Sequence, residues 1–461
     1  MSEKRIEHDV LGEMAVPADA YWGISTQRAI QNFHISGKQL PAKFIHALAE
    51  VKKACLLANM ELGNIDKELG KALLQAIDEI TSQKKMLDQF PVDIYQTGSG
   101  TQTNMNMNEV LANRANEILG SPLGEKKPVH PNDHVNMGQS SNDVIPTAMH
   151  VAALDVINKD LLPAIDRIIH VLDKKVKQFR GIVKVGRTHL QDAVPIPLSM
   201  EFSVYRTQLV KCFGEIQEIR EDLVIVPIGG TALGTGLNSS DKFAEQVVSH
   251  LETITGNPFR THFLKAEGIA SHRTMVRLSS SLKLLALALI KMANDIRWMG
   301  SGPRAGLGEL DLPANEPGSS IMPGKINPTQ SEALIQVGIQ VLGYDHAISM
   351  AESLGSILDL CVTKPLIISN ILDSIHILTN GIKSFSDNCL EGLEANEDNI
   401  QSQLDRSLMI ATRLTPYIGY DKASEVARKA LESGKTIRET LQDMNISIEN
   451  LDEILDPHKM V

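Results

Sequence analysis

A short segment near residue 320 combines hydroxyl groups, a single lysine and residues that interrupt helices. The segment GSSIMPGKINPTQ, residues 318–330, places the adjacent hydroxyls of Ser319 and Ser320 before its one cation, Lys325. Glycine and proline at this density exclude a regular helix, so we predict a loop. A lysine and hydroxyl groups on such a loop are suited to contact an anionic ligand.

Four further segments concentrate small hydrogen-bonding residues. Ser, Thr, Asn and Asp commonly cap helices, and capping would explain any one of these segments alone. Several such segments in one chain, most of them at predicted helix starts, also suit carboxylate binding, because free N–H groups at a helix N-terminus attract anions. Both interpretations stay open. The segments, predicted as loops, are TGSGTQTN (97–104), HPNDHVNMGQSSND (130–143), GRTHLQD (186–192) and GGTALGTGLN (229–238).

One histidine in these segments is a candidate proton carrier. His189 stands between Thr188 and Leu190 in a short polar turn that also contains an arginine. Imidazole changes its charge near neutral pH, so His189 is suited to acid–base chemistry. The alternative is a structural histidine.

Two motifs are similar to metal or nucleotide sites but lack the usual context. HPNDH offers His130, Asp133 and His134 as ligands, yet it contains a proline, and no second His or Glu cluster accompanies it. GTALGTG at 230–236 is similar to a nucleotide-binding loop, but we predict no strand before it in a βαβ pattern. We therefore expect neither a bound metal nor a cofactor.

Composition limits the classes of partner. The 461 residues are 43% hydrophobic and 22% charged, which is typical of a globular protein, and the net charge is -11. Nucleic acid is not an expected partner, because phosphate binding needs a basic surface and only 4% of the residues are aromatic. A site for an anionic substrate must therefore create its own local positive potential.

Cysteine usage and hydropathy indicate the compartment. The four cysteines are scattered without a CxxC pair, which is typical of reduced thiols in a cytoplasmic protein. The first residues contain no apolar stretch of the kind found in secretory signals. The longest apolar run, 284–290, is much shorter than a membrane span. We expect a cytoplasmic protein without a membrane partner.

Long amphipathic helices dominate the middle of the chain. Apolar residues recur in steps of three and four at 161–176, 282–296 and 368–385, and helices are also indicated at 200–223 and from 328 to about 342. This spacing predicts helices packed nearly parallel in a bundle, and apolar flanking faces predict that other subunits share it. The fold class is mainly α. We divide the chain into an N-terminal mixed domain (1–139), a central helical bundle (140–395) and a small C-terminal helical domain (396–461).

These segments together resemble the signature segments of class II fumarases, in the aspartase/fumarase superfamily. The similarity extends from GEMAVPADAYWG near the start to IGYDKA near the end, and GSSIMPGKINP is highly specific for the superfamily. The resemblance implies a homotetramer with a central helical bundle and active sites that are each built from three subunits. It implies reversible hydration of fumarate to L-malate, without a metal. The alternative is aspartate ammonia-lyase, but His189, Gly324 and the Ser99–Thr101 segment all match fumarases.

The resemblance also implies roles for individual residues. Ser319 would be the base that removes the C–H proton of malate, and His189 would assist proton donation to the leaving hydroxyl. Lys325 and Asn327 would stabilise the aci-carboxylate carbanion, and Glu332 would support the histidine. The substrate-binding residues would be Ser99, Gly100, Thr101, Ser140, Ser141, Asn142, Thr188, Ser320, Lys325, Ile326 and Asn327. A secondary dicarboxylate site would comprise His130, Pro131, Asn132 and Asp133.

Several positions depart from the family pattern. Met137 and Gly138 stand where fumarases usually have Lys and Ser, so a positive charge near the substrate loop is missing. Asp359 and Cys361 replace Glu and Asn in a segment that we assign to a bundle helix. Residues 270–273 read ASHR where fumarases usually have an AHDA-like segment, and the new Arg273 is expected to restore part of the lost charge. Because the residues assigned to chemistry are intact, we expect an active enzyme.

Overall fold

The computed structural model describes residues 3–461, and helices make up most of it. The α-helices of the described residues are α1 (Ile24–Asn32), α2 (Ala42–Glu61), α3 (Lys67–Thr81), α4 (Thr101–Ile118), α5 (Ser141–Val156), α6 (Leu162–Gln178), α7 (Leu198–Leu223), α8 (Phe243–Thr255), α9 (Lys265–Ala270), α10 (Arg273–Met299), α11 (Thr329–Gly355), α12 (Lys364–Phe385), α13 (Glu397–Asp405), α14 (Thr415–Ile418), α15 (Tyr420–Ser433), α16 (Ile437–Asp443) and α17 (Leu451–Ile454).

The strands are short and pair only two at a time. They are β1 (Lys4–Asp9), β2 (Gly12–Pro17), β3 (Val183–Thr188), β4 (Gln191–Pro197), β5 (Ile225–Val226), β6 (Arg260–Thr261), β7 (Leu310–Asp311), β8 (Ser356–Ile357), β9 (Leu360–Cys361) and β10 (Glu394–Ala395). The antiparallel pairs are β1–β2, β3–β4, β8–β9 and β10–β7, whereas β5 and β6 are parallel. The prediction of a mainly α fold is confirmed.

The periodic apolar residues form the buried sides of the long helices. In α10, Leu285, Leu289 and Ile296 are each 0% exposed, as the spacing of three and four predicts. The predicted helices at 200–223, 282–296 and 368–385 correspond to α7, α10 and α12.

Two helix boundaries differ from the prediction. Leu161 lies in a π-helical turn, Ile157–Leu161, that joins α5 to α6. The helix predicted to end near residue 342 continues to Gly355 as α11. Its apolar residues lie all round the helix, so the sequence pattern marked no end. Gly338 within it packs closely against Ile290 of α10, and any side chain there would overlap that isoleucine.

The chain divides into two compact units. The first contains residues 3–163, 214–284 and 339–378, and the second contains 164–213, 285–338 and 379–461. Each of α7, α10, α11 and α12 contributes one end to each unit. The predicted three-domain division of the sequence stays a prediction.

The first unit is built around α2. This helix packs against α3, α5 and α8, and its residues Leu48, Val51 and Ala54 are 0% exposed. Because α2 is buried on several sides, its neighbours α5 and α8 are held in fixed positions relative to it. The start of α5 carries several of the predicted substrate-binding residues.

The second unit contains a separate C-terminal core. Leu414, Val426 and Leu441 are fully buried in a cluster that spans residues 410–455. In the same unit, the ends of the long helices are joined by polar contacts: Arg206 of α7 bonds Asp173 of α6, and Tyr205 of α7 donates to Asp295 of α10 at 3.0 Å. These contacts hold neighbouring helices side by side.

The long helices also carry apolar side chains that the chain itself leaves uncovered. Leu284 and Leu287 of α10 are 44% and 46% exposed, and Ile339 of α11 is 58% exposed. Within residues 3–461, no helix combines the length and the hydropathy needed to cross a membrane.

One prediction about the strands was wrong. The strand β5 does precede the GTALGTG segment at 230–236, and α8 and the parallel strand β6 follow it. Each of these strands has only two residues, too few for an alternating or continuous apolar pattern to appear in the sequence.

Candidate functional site

The starts of two helices meet in the first unit through a chain of hydroxyl groups. Thr101 is the first residue of α4 and Ser141 is the first residue of α5. Their hydroxyl oxygens are hydrogen-bonded at 2.8 Å, and Ser99 bonds Thr101 at 2.8 Å. Gly100, with φ +78°, lets the chain turn sharply into α4. Two positive helix ends and three hydroxyls therefore lie together, as an anion site requires.

The start of α5 is fixed by a capping box. The hydroxyl of Ser140 accepts from the backbone N–H of Asn142, and the carboxylate of Asp143 accepts from the backbone N–H of Ser140 at 2.9 Å. The capping interpretation is thus confirmed for Ser140. The side-chain amide of Asn142 donates to the carbonyl of Ala232 at 2.9 Å. The same residues therefore shape the helix start and leave Ser141 directed toward Thr101.

Asp143 also binds the GGT part of the glycine-rich segment, which sequence reasoning missed. Its second carboxylate oxygen accepts from the backbone N–H groups of Gly229 at 3.0 Å and Thr231 at 2.9 Å. These amides therefore hold a carboxylate of the chain itself rather than the phosphate of a nucleotide. Burial raises the pKa of Asp143 to about 7, and the N–H bonds from Ser140, Thr231 and Gly229 oppose that rise.

A buried lysine, Lys52 of α2, also contacts the segment before α5. Its ammonium group donates to the side chains of Asn136 at 3.0 Å and Gln139 at 2.8 Å. Burial lowers the pKa of Lys52 to about 7, and the charges of Cys55 and Asp143 oppose that fall. The sequence did not reveal that Lys52 is buried. Lysines often lie along apolar helix faces with the charged end in solvent, so the pattern does not distinguish a buried lysine from an exposed one.

His189 lies at the tip of a β-hairpin in the second unit. The segment 186–192, predicted as a loop, belongs instead to β3 and β4, and only His189 and Leu190 form the turn. Both turn residues have positive φ, 57° and 58°, although neither is Gly or Asn. Such a backbone is strained, and strain of this kind is concentrated at functional sites. Thr188 and His189 are exposed.

A buried ionic network anchors this hairpin. The guanidinium of Arg187 donates to Glu309 at 2.6 Å and to Gln403 at 2.9 Å. The ammonium of Lys184 lies 3.1 Å from the other oxygen of Glu309, whose side chain is 1% exposed. A carboxylate that pairs with two cations of the same strand fixes the strand that leads to His189.

The segment 318–327 is a loop, as predicted, and backbone bonds close it. The N–H of Gly318 donates to the carbonyl of Lys325 at 2.9 Å, and the side-chain amide of Asn327 donates to the carbonyl of Gly318 at 2.6 Å. A side chain at Gly318 would approach the Lys325 carbonyl oxygen to 2.4 Å. Gly324 turns the chain with φ +81°. The exposed members of this loop include Ser320, Lys325 and Ile326.

The loop directs two N–H groups at the hydroxyl of Ser319. The backbone N–H groups of Ile321 and Met322 donate to its oxygen at 3.2 and 3.0 Å. Donors aimed at an oxygen stabilise it most when it carries negative charge. Bonds of this kind are common in serine turns, and here they would also stabilise negative charge on the oxygen if Ser319 acts as a base.

The HPND segment is a π-helical turn, Pro131–Val135, that its own histidines cap. The ring nitrogen Nδ1 of His130 accepts from the N–H groups of Asn132 at 3.2 Å and Asp133 at 3.3 Å. His134 Nδ1 accepts from the N–H of His130 at 2.8 Å. Within residues 3–461, no three His, Cys, Asp or Glu side chains are arranged to hold a metal. Asn132 and Asp133 are exposed.

The departures from the family pattern have defined positions. Met137 uses its carbonyl to accept from Asn59 at 3.1 Å. Gly138 has φ +73°, a conformation that favours glycine. Asp359 and Cys361 lie in the β8–β9 hairpin and not in a helix as predicted; the hairpin is too short for a strand pattern to show.

Arg273 begins α10 and is exposed at a cavity of about 340 Å³ in the first unit. The cavity is also lined by His150, His262 and Glu267. Two of these groups, His262 and Glu267, lie 3.0 Å apart. Whether Arg273 restores charge to the substrate loops stays a prediction.

The structure thus presents the predicted site residues as separate groups. Ser99, Thr101 and Ser141 are joined in the first unit, and Ser319, Lys325 and Asn327 share one loop of the second. In the described part of the chain, no hydrogen bond links His189 to that loop. Glu332 lies exposed in the first turn of α11.

Comparison with known proteins places this arrangement in a family. A family model described as lyase matches residues 12–343, and another described as fumarase C C-terminus matches residues 410–461. A protein named fumarate hydratase class II from Thermosynechococcus vestitus is 51% identical over 96% of this chain and 94% of its own. The mitochondrial fumarate hydratase of Rhizopus oryzae is 48% identical over 99% of this chain and 92% of its own.

Solved structures agree with these sequence matches. The crystal structure of recombinant class II fumarase from Schistosoma mansoni superposes with a TM-score of 0.96 at 39% identity, and the match covers 99% of each chain. A fumarate lyase:delta crystallin from Brucella melitensis, bound to cobalt, superposes with a TM-score of 0.95 at 41% identity over 99% of each chain. The chain belongs to the class II fumarate hydratase family of lyases.

Proposed function

We propose that this protein is a fumarate hydratase that interconverts fumarate and L-malate. The observation that carries the proposal is the 2.8 Å bond between the hydroxyls of Thr101 and Ser141, which brings two helix N-termini together. A dicarboxylate needs donors and positive potential, and a protein of net charge -11 must supply both locally. Membership of the class II fumarate hydratase family supports the choice of fumarate among dicarboxylates.

Dehydration of malate would begin at Ser319. The reaction removes a weakly acidic C–H proton beside a carboxylate, and the resulting charge spreads into that carboxylate as an aci-carboxylate. The two N–H groups that point at the Ser319 oxygen support its role as the base. Lys325, on the same loop, is the cation that would stabilise the aci-carboxylate as its charge develops.

His189 would complete the reaction as the donor to the departing hydroxyl, directly or through a water. Its exposed position on a strained turn, anchored by Arg187 and Glu309, supports a functional role rather than a structural one. The anti course of the reaction requires that base and acid act on opposite faces of the substrate. Thr188, Ser320, Ile326 and Asn327 would complete the binding site, and Glu332 would support the histidine.

The site would be assembled in a homotetramer, with groups from three subunits in each active site. The uncovered apolar side chains Leu284, Leu287 and Ile339 support this assembly, since exposed apolar faces on long helices commonly form subunit interfaces. A bundle shared among subunits would bury them.

Two further assignments belong to the same proposal. The turn from His130 to Asp133 would form a secondary dicarboxylate site, supported by the exposure of Asn132 and Asp133. A cytoplasmic location is supported by the four cysteines, which are buried and form no disulfide in the described structure.

A direct assay tests the proposal. Purified protein is mixed with L-malate and, separately, with L-aspartate, and the ultraviolet absorbance of the fumarate double bond is followed. We expect absorbance to appear with malate alone. Appearance with aspartate alone contradicts the proposal, as does a malate rate no better than that of the His189→Gln variant.

A further inference from the structure

Two buried ionisable groups lie beside the start of α5 and have no role in the chemistry proposed above. Asp143 is 0% exposed and Lys52 is 1% exposed. Burial of a charged side chain is costly unless the charge is paired or fully hydrogen-bonded. Their position next to the substrate-binding hydroxyls indicates a function beyond packing.

Asp143 joins two segments that are far apart in the sequence. One carboxylate oxygen accepts from the N–H of Ser140, and the other accepts from Gly229 and Thr231. The bond from Asn142 to the Ala232 carbonyl is a second link between the same segments. The glycine-rich segment is therefore a support for the start of α5, and Asp143 is the anion that its amides bind.

Lys52 similarly links the segment before α5 to α4. Its ammonium bonds Asn136 and Gln139, both in the segment that leads into α5. The same oxygen of Asn136 accepts from the side-chain amides of Asn104 at 3.1 Å and Asn108 at 3.2 Å, both in α4. Through Asn136, Lys52 therefore links the two helices whose starts carry the hydroxyl chain.

We propose that Asp143 and Lys52 are positioning residues that hold the starts of α4 and α5 at the separation which dicarboxylate binding requires. The inference rests on the proposed function, because it concerns the binding of that substrate. Neither side chain would touch the substrate. Both act through Thr101 and Ser141, whose hydroxyls meet between the two helices.

The charges around the pair predict how binding depends on pH. Lys52 faces Cys55 on its own helix and Asp143 on α5, and these are the ionisable groups that influence it. Because burial raises the pKa of Asp143 to about 7, acidification below pH 7 protonates it and removes the charge from its three N–H bonds. Substrate binding should therefore weaken as the pH falls through this range. Because burial lowers the pKa of Lys52 to about 7, loss of its proton should also weaken binding as the pH rises above 7.

Removal of Lys52 should shift the pH dependence of substrate binding toward higher pH. The positive charge of Lys52 lowers the pKa of Asp143, so the variant Lys52→Met should raise it further. The midpoint at which KM begins to rise should then move to higher pH.

The test compares the full-length protein with Asp143→Asn and Lys52→Met by steady-state hydration of fumarate between pH 6 and pH 9. We expect KM for Asp143→Asn to rise about tenfold at pH 8 with a smaller change in kcat, because a buried charge-assisted hydrogen bond is lost. The matched control is Glu109→Gln. Glu109 is a buried carboxylate of α4 that also accepts three backbone N–H groups, from Gly23, Ser25 and Thr26.

The outcomes separate the inference from the proposed function. A raised KM in Asp143→Asn, with an unchanged KM in Glu109→Gln, supports the inference. Suppose that the parent is active and that Asp143→Asn changes KM by less than twofold while its Tm falls. That result overturns the inference but leaves the proposed function standing. If Asp143→Asn does not fold, the pH midpoint of Lys52→Met decides: an upward shift supports the inference and an unchanged midpoint overturns it. A parent without hydratase activity contradicts the proposed function, and the inference with it.

Discussion

The hydroxyl oxygens of Thr101 and Ser141 lie 2.8 Å apart, although 40 residues separate them in the sequence. Each residue begins a helix, so their contact brings two positive helix ends to one point. Neither helix start would be a convincing anion site by itself. Together, and with the buried Ser99 bonded to Thr101, they bring three hydroxyl groups into one small region.

Removal of the central hydroxyl should weaken substrate binding. In Thr101→Val the shape of the side chain is retained, but the bonds to Ser99 and Ser141 are lost. Loss of such polar contacts costs about 1–3 kcal/mol, so we expect KM to rise roughly tenfold with a smaller effect on kcat. Thr253→Val, which removes a hydroxyl bonded only to the backbone of α8, is the control and should leave KM unchanged. Equal KM values for the two variants would contradict the assignment.

Ser319→Ala should reduce kcat far more than it changes KM. The hydroxyl that accepts from Ile321 and Met322 is assigned as the base, and a positioned base contributes about 10²–10⁴-fold in rate. Ser320→Ala provides the comparison: as a binding residue, Ser320 should mainly affect KM. Initial rates over a range of malate concentrations separate these effects. If Ser320→Ala lost most of its kcat while Ser319→Ala kept a kcat close to that of the parent, Ser320 would be the base and the assignment of Ser319 would be wrong.

Glu309→Gln should destabilise the second unit and reduce activity together. The substitution leaves Lys184 and Arg187 without the carboxylate that they share in a buried position. Breaking a buried ion pair costs about 3–5 kcal/mol, and the loosened hairpin carries His189. Urea unfolding and kcat measure the two effects. Asp443→Asn, which removes an exposed partner of Lys435, should change neither, and an equally stable Glu309→Gln protein would refute the anchoring role.

Acid should destabilise the first unit through His150. Burial lowers the pKa of His150 from 6.5 to about 4 in the folded protein, where its ring donates to the carbonyl of Leu223. Between these values the unfolded chain binds a proton at His150 that the folded chain does not, so the contribution of His150 to the free energy of unfolding falls as the pH is lowered from 6.5 to 4. Asp143, whose pKa is raised by burial, contributes in the opposite direction, so the effect of His150 is measured as a difference between variants. The loss should reach about 3 kcal/mol at pH 4.

Urea unfolding at several pH values tests this expectation. His150→Gln should reduce the pH dependence between 6.5 and 4, whereas substitution of the exposed His170 by Gln should not alter it. An unchanged slope in His150→Gln would show that another group is responsible.

The sequence predicted the features that depend on a repeated local pattern. The buried stripe of α10 and the loop at 318–327 follow from helical periodicity and from glycine and proline content. Capping was one of the two interpretations of the segment 130–143, and the structure shows it at Ser140, which begins the cap of α5.

The features that the sequence did not reveal depend on contacts between distant segments. The hairpin of β3 and β4 was predicted as a loop because its polar residues lack the alternation typical of a half-buried strand. Asp143 binds amides 86 residues away, and no local pattern indicates such a partner. The same is true of Glu309, which pairs with Lys184 across more than a hundred residues.

The most direct test of the central claim is the product that forms from fumarate in heavy water with ammonium ions present, identified by proton NMR. A hydratase with one positioned acid and one positioned base should give only malate, with a single deuterium at C3 in one configuration, and no aspartate. Formation of aspartate, or of malate with deuterium in both configurations, would contradict the account.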